Sequence, residues 1–168
     1  RAQGRGRVFR ALAHRGYRLL FVAFAINQTG FWLSHLAIQG LTVELSHNDP
    51  LAIGGIFFAL FLPAFLLAPL AGVAADRFDR RRIVVVCYAA VSSLALALCA
   101  LTATGAIDRF WLFGIALLLG TAFAFSGPAN MALAANSVPA ADLSSAVSLQ
   151  SALNNLTRVV GPMLAGPV

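Results

Sequence analysis

The sequence predicts an all-α integral membrane protein that crosses the bilayer five times. Four stretches contain no Asp, Glu, Lys or Arg, and the first three hold 25 residues each and the fourth 32: Leu19–Val43, Leu51–Ala75, Ile83–Ile107 and Phe110–Ala141. A helix of about 20 residues crosses a hydrocarbon core of roughly 30 Å. The chain is also 60% hydrophobic and only 11% charged, which is too apolar for an ordinary soluble domain. Four such helices buried in a soluble protein are the alternative, but 168 residues leave too little chain to cover them.

The placement of the arginines predicts the orientation. Six of the twelve basic residues lie in Arg1–Arg18 and four in Arg77–Arg82, whereas only Arg109 lies between the third and fourth runs. Cytoplasmic loops are enriched in Lys and Arg, so we expect a multi-pass protein of the cell inner (plasma) membrane with a cytoplasmic N-terminus. Residues 1–17 form a basic arm expected to lie against anionic lipid headgroups. No nucleic-acid partner is predicted, because interleaved aromatics and a binding fold are lacking.

The first predicted helix spans about residues 18–46 and carries one polar stripe. Its members lie within about 60° of one another at 100° per residue: Gln28, His35, Gln39, Thr42 and Ser46. Lipid disfavours such a face, so it should turn toward other helices or water. Gln39 could equally form interhelical hydrogen bonds or line a substrate cavity. Gln28 and His35 lie nearer mid-membrane, so for them we favour the cavity.

The second predicted helix, about residues 51–75, combines small residues with prolines. Ala64, Ala68 and Gly72 recur every four residues, a ridge that allows a neighbouring helix to approach closely. Pro63 and Pro69 each lack a backbone donor and predict bends.

The third and fourth predicted helices differ in composition. The third, about residues 83–105, is mostly Val, Leu and Ala and is expected to be peripheral. The fourth, about residues 110–136, carries Gly114, Gly120 and Gly127, which predict close packing, and Pro128, which predicts a helix bend.

The fifth predicted helix, about residues 143–168, places an arginine near mid-membrane. Gln150, Asn154 and Arg158 share one face at spacings of four. A central arginine costs about 3 kcal/mol on insertion scales, so Arg158 should face a partner or water; snorkelling to the interface is the alternative. Gly161 and Pro162 predict a bend, because Pro162 cannot donate to the Arg158 carbonyl. Residues 18–168 would thus form one partial transmembrane bundle.

Three segments together resemble one known family. Residues 72–82 match the pattern G-x-x-x-D-R-x-x-R-R-x, with Gly72, Asp76, Arg77, Arg80 and Arg81 on its fixed positions. Residues 125–129 read F-S-G-P-A, and residues 151–162 read S-A-L-N-N-L-T-R-V-V-G-P. This order resembles the major facilitator superfamily, and within it the macrolide- and siderophore-exporter-like branch, the transmembrane secretion effectors. The likeness covers nearly the whole chain.

The resemblance implies the first five transmembrane helices of the N-terminal six-helix half of a major facilitator fold. Such transporters rock two halves around a midplane site. In the family, the loop carrying Gly72, Asp76, Arg77, Arg80 and Arg81 acts as a conformational switch rather than a substrate contact. The expected partners are a small-molecule substrate, the lipid bilayer and the missing C-terminal half, the chain being interpreted as an N-terminal fragment.

The resemblance also implies secondary active transport, with efflux of a small amphipathic, drug- or siderophore-like compound. The alternatives are an uptake carrier, or a membrane sensor or scaffold on the same fold that transports nothing. Candidate cavity residues are Gln28, His35, Gln39, Asn154 and Arg158. Neither enzyme activity nor a cofactor is predicted, since no catalytic triad, metal-ligand spacing or phosphate loop occurs. Proton antiport would need His35 or a group in the missing half, because no carboxylate lies deep within the five helices.

Overall fold

The computed structural model describes residues 10–47 and 49–165, with side chains through Val159. This part of the chain is all helical, which confirms the predicted fold class. Two short 3-10 helices, Arg10–Ala13 and Ala140–Asp142, accompany six α-helices: α1 (Arg15–Ser46), α2 (Pro50–Leu66), α3 (Ala68–Arg77), α4 (Arg80–Ala103), α5 (Arg109–Asn136) and α6 (Leu143–Ala165). Residues 1–9 of the predicted arm and 166–168 of the last predicted helix lie outside the described residues.

Three of these helices, α1, α4 and α5, are each long and apolar enough to cross a membrane. The pair formed by α2 and α3 passes the same test as one unit bent by 48°. Within the described residues α6 does not join them, although it has 23 residues, because polar side chains such as Gln150, Asn154 and Arg158 interrupt it. A fifth crossing by α6 stays a prediction.

The bend between α2 and α3 replaces the single helix predicted over residues 51–75. The amide of Leu67 still donates to the carbonyl of Pro63 at 2.8 Å. Pro69, at the start of α3, has no N–H to donate, and its ring occupies the space that the Phe65 carbonyl would take in a straight helix. The bend predicted from the prolines is therefore present, and Pro69 accounts for its position.

Aspartates at three helix starts explain where the helices begin. Asp49 accepts from the amide of Leu51, Asp79 from that of Arg81 and Asp108 from that of Trp111, at 2.8–3.0 Å. A carboxylate at this position satisfies a free amide and faces the positive end of the helix dipole. α4 accordingly begins at Arg80 rather than at the predicted residue 83.

The core is built around α5, which contacts each of the other five helices. Leu112 and Leu119 of α5 pack with Leu60 of α2 and Val91 of α4 in the largest buried cluster. α4 buries one side against α5 and leaves Val85, Val86 and Leu96 exposed, as expected for a lipid-facing surface. Through Pro128 α5 continues as one helix, so the bend predicted there stays a prediction.

At Gly120 the backbone of α5 lies close to that of α2. A Cβ on this residue would collide with the backbone carbonyl of Leu60 on α2. At the other described glycines, Gly114 and Gly127 included, a Cβ would meet nothing within 4 Å. The close packing predicted for three glycines of α5 is therefore found at Gly120 alone.

The start of the described chain packs against the start of α6. Tyr17 is fully buried, and its hydroxyl donates to the carbonyl of Ala146 at 2.7 Å. The amide of Ala11 donates to Ser145 Oγ, and His14 Nε2 lies 3.1 Å from Asp142 Oδ2. Residues 10–17 of the predicted arm therefore contact protein, and α1 begins at Arg15 rather than residue 18. These contacts hold α1 and α6 side by side.

Candidate functional site

Polar residues of α1 and α6 meet at two successive helical turns. Gln28 Nε2 donates to Asn154 Oδ1 at 2.5 Å. Four residues further along both helices, the Arg158 guanidinium carbon lies 5.7 Å from the centroid of the Trp32 ring. Equal steps of four residues keep both pairs on facing sides of the two helices. Gln28 is buried, whereas Asn154 and Arg158 are exposed in the described part of the chain.

The contacts continue along α1 from Trp32 to His35. The His35 ring lies edge-on to Trp32 and to Phe57 and Phe61 of α2, with centroids 5.4–6.1 Å apart. Gln39 Nε2 lies 2.8 Å from His35 Nδ1. His35 is thus buried among aromatic rings, and Gln39 links it to the next turn.

A cavity of about 180 Å³ opens beside the Gln28–Asn154 pair, between α1, α4, α5 and α6. Eight of its lining residues are polar: Asn27, Gln28, Tyr88, Ser126, Asn130, Gln150, Ser151 and Asn154. Its mouth is marked by the exposed Ser151 and Asn154, and its inner wall by the buried Asn130 and Gln150.

Four buried polar atoms of this cavity have no hydrogen-bond partner among the described residues: Asn27 Nδ2, the Tyr88 hydroxyl, Asn130 Oδ1 and Gln150 Nε2. Buried polar groups in proteins are almost always hydrogen-bonded to protein or water. The set supplies both donors and acceptors but no charge. The cavity therefore suits water or an uncharged polar group.

The arginine-rich loop predicted from the sequence is the junction where α3 ends and α4 begins, and it is organised by Arg80. Its Nε donates to the carbonyl of Ala75 at 3.0 Å, and its Nη2 lies 3.8 Å from Asp76 Oδ1. Arg80 therefore satisfies a carbonyl that the end of α3 leaves free. Arg77 and Arg81 are exposed, and their side chains have no partner in the part of the chain that the structure covers. Gly72 lies one turn before Asp76 on α3.

Comparison with known proteins decides the family. The family model described as "transmembrane secretion effector" matches residues 7–168. The chain belongs to this family. As a transmembrane secretion effector it is a multi-pass membrane protein of a transporter family, not an enzyme.

The relatives of this transmembrane secretion effector are transporters of the major facilitator type. It is 29% identical over 155 residues to the MFS-type transporter YfiS of Bacillus subtilis, covering 90% of this chain and 35% of the relative. It is 26% identical over 140 residues to the staphyloferrin A transporter of Staphylococcus aureus, with coverage of 83% and 35%. An MFS-type transporter of Mycobacterium tuberculosis is 38% identical over 114 residues, covering 66% of this chain and 26% of the relative. The chain thus spans about a third of the length of the first two relatives. No solved structure matches it.

In this transmembrane secretion effector the five predicted cavity residues fall into two sets of contacts. Asn154 of α6 pairs with Gln28 of α1. Arg158 of α6 lies over the ring of Trp32, which contacts His35 and through it Gln39 along α1. Gly161 and Pro162 fall within the backbone range of α6, which continues as one helix to Ala165, so the bend predicted there stays a prediction.

Sequence reasoning missed several residues of the polar cavity, among them Asn27, Tyr88 and Asn130. Asn27 and Tyr88 lie outside the polar faces predicted for the first and fifth helices. All three residues are polar and lie in stretches without charged residues. Polar side chains are uncommon in membrane helices, and this is the signal that could have identified them.

Proposed function

We propose that this chain is part of a secondary active transporter that exports a small amphipathic compound by alternating access. The observation that supports this most strongly is that polar side chains of α1 and α6 meet at two successive helical turns, Gln28 with Asn154 and Trp32 with Arg158. Polar and charged side chains in membrane helices usually turn toward a bundle interior or a water-filled cavity. Because the chain spans 35% of YfiS, we propose that the remaining sequence of the same polypeptide supplies the opposite wall.

The proposed direction rests on the family description, transmembrane secretion effector. The proposed cargo rests on a relative that is named for transport of staphyloferrin A, which supports a siderophore-like compound. Cells lacking or overproducing the full-length protein, loaded with candidate drugs and siderophores, test the proposal. If the protein exports a compound, the amount of that compound inside the cells should rise in the deletion strain and fall on overproduction. The opposite pattern would favour an uptake carrier, and no change for any compound would favour a sensor or scaffold.

We also propose that the junction of α3 and α4 is the conformational switch, with Gly72, Asp76 and Arg77 of α3 and Arg80 and Arg81 of α4 as its working residues. Exposed charges with few local partners support this, because Asp76, Arg77 and Arg81 can bind groups elsewhere in the full transporter. Arg80, by contrast, stabilises the end of α3 itself.

A cysteine at position 158 tests whether α6 lines the cavity. In the full-length protein, with Cys87 and Cys99 replaced by Ala, the Arg158→Cys thiol is expected to react readily with a water-soluble methanethiosulfonate. Leu156→Cys is the matched control, because Leu156 is also exposed but lies about 200° around the same helix. We expect Arg158→Cys to react several-fold faster than Leu156→Cys. Equal rates, or protection of position 158 by lipid, would contradict a cavity position.

Two further cysteines test the proposed orientation in the inner membrane. Both positions are exposed: Arg81 lies in the first turn of α4, and Ala106 in the turn before α5. A membrane-impermeant maleimide should label Ala106→Cys in intact spheroplasts, and Arg81→Cys only after the membrane is permeabilised. Labelling of position 81 from outside would place the arginine cluster on the wrong side and overturn the assigned topology.

A further inference from the structure

The Arg158 guanidinium has no carboxylate partner among the described residues. The three ion pairs found there use Asp76, Asp79 and Asp142. The remaining carboxylates, Glu44, Asp49 and Asp108, lie at or near the ends of helices. Arg158 instead lies well inside α6, fifteen residues after its first residue, Leu143. Its charge is therefore balanced in this part of the chain only by the face of Trp32, and a cation–π contact compensates a charge in a membrane helix only partly.

A second donor belongs to the residue that Arg158 contacts. The indole Nε1 of Trp32 is buried and has no hydrogen-bond acceptor within residues 10–159. The indole N–H and the guanidinium group are donors only. Two adjacent side chains thus offer several donors and a positive charge. This composition calls for an acceptor that carries negative charge.

We infer that Arg158 and Trp32 bind an anionic group of the transported compound, and that this group is a carboxylate. The inference rests on the proposed transport function and names the substrate class of that site. A carboxylate is planar and presents two acceptor oxygens, which match the fork of a guanidinium group. The substrate would therefore be an amphipathic organic acid rather than a neutral or cationic drug.

The surroundings favour a substrate carboxylate over a fixed carboxylate from the rest of the polypeptide. Trp32 contacts the guanidinium through the face of its ring, so the N–H donors of Arg158 stay available to an acceptor. One turn before it on α6, Asn154 borders the 180 Å³ cavity. Uncharged amide and hydroxyl groups line that cavity, so it can take the neutral polar part of a molecule whose acid group binds Arg158.

The test uses the full-length transporter in nanodiscs, with Cys87 and Cys99 replaced by Ala and a single reporter, Ser151→Cys. Ser151 is exposed at the mouth of the cavity, two turns before Arg158. The probes are 2-naphthoate and 2-naphthamide, which share one ring system and differ in charge. Each is titrated while the rate of labelling by a water-soluble maleimide is measured. We expect naphthoate to halve the rate at a concentration at least ten times lower than naphthamide.

Variants of Arg158 separate the proposal from general binding of acids. Arg158→Gln should erase the preference, so that both compounds act at the same concentration, and Arg158→Lys should keep part of it. Arg109→Gln, at the start of α5, should leave it intact. Equal protection by both compounds in the parent, which a fixed protein carboxylate on Arg158 would produce, overturns the inference. So does a preference that survives Arg158→Gln. The two proposals fail separately. If the amount of compound inside cells does not change with the amount of protein, transport is refuted, but the labelling assay still shows whether Arg158 binds an anion.

Discussion

Replacing Gly120 with leucine is expected to prevent α2 from packing against α5 and to leave little folded transporter in the membrane. Even the single methyl group of Gly120→Ala would collide with the backbone carbonyl of Leu60. A side chain could rotate away from such a contact, but a helix backbone must move as a unit. Overpacking a core lowers stability by about 1–3 kcal/mol when side chains can adjust. We expect the loss of stability in Gly120→Leu to reach or exceed the upper end of this range.

The position of Gly120 in the core makes the effect global. Its neighbour Leu119 and the facing Leu60 are both nearly inaccessible. They belong to the buried cluster that also joins α4. A shift of α2 away from α5 would open this cluster along its length, and each buried apolar side chain that loses its contacts weakens the bundle further.

A matched control lies on the same helix. Gly114→Ala introduces the same methyl group, but nothing lies within 4 Å of it, so stability should stay near that of the parent. Fluorescence-detected gel filtration and thermal melts of the full-length protein fused to a fluorescent protein measure both. We expect a graded loss from Gly120→Ala to Gly120→Leu. A monodisperse Gly120→Leu protein with the parental melting temperature would show that α2 and α5 do not meet at this residue.

The helical fold and the apolar membrane segments could be predicted from the sequence. Charged residues are disfavoured in a membrane-spanning helix, and the sequence shows which stretches lack them. It also indicated the bend in residues 51–75 from Pro63 and Pro69. The exact break at Leu67 did not follow, because two prolines six residues apart each allow one. Helix starts moved by up to three residues, since the capping role of Asp79 depends on backbone geometry.

The pairing of α1 with α6 shows what the residues alone do not determine. Helical periodicity placed Gln28 on one polar stripe and Asn154 on another, but it does not say which two stripes meet. Asn154 and Asn155 are adjacent and chemically identical, yet Asn155 bonds back to the carbonyl of Ser151 in its own helix. Spacing placed Asn154 on the face shared with Gln150 and Arg158, but only the packing of α1 beside α6, held at one end by Tyr17 and Ala146, pairs that face with Gln28.

Replacing Asp76 with asparagine is expected to lower transport by about tenfold or more while leaving the amount of inserted protein unchanged. The carboxylate has one local partner, Arg80 at 3.8 Å, and its side chain is 82% exposed. Exposed ion pairs four residues apart on a helix contribute about 0.3–0.5 kcal/mol, so the fold does not depend on it. Arg80 keeps its bond to the Ala75 carbonyl in the variant, and the end of α3 should stay closed.

The expected loss of transport follows from the proposed role of the loop in holding one conformational state. A hydrogen bond to a charged group contributes about 1.5–3 kcal/mol, and about 1.4 kcal/mol changes an equilibrium tenfold. If Asp76 makes such a bond to the remainder of the transporter in one state only, its neutral amide would shift the balance between states by that factor. The initial rate of cargo export, normalised to inserted protein, measures the effect.

Asp79→Asn is the control that gives this prediction its specificity. It removes the same charge three residues away, from another exposed carboxylate. Asparagine caps a helix about as well as aspartate, so α4 should still begin at Arg80 and transport should stay close to the parental rate. Equal losses in both variants would mean that the net charge of the loop matters rather than Asp76 itself. Parental transport in Asp76→Asn would show that Asp76 is not the switch residue. Arg80 is already bonded to the end of α3, so only Arg77 and Arg81 would remain available to bind elsewhere.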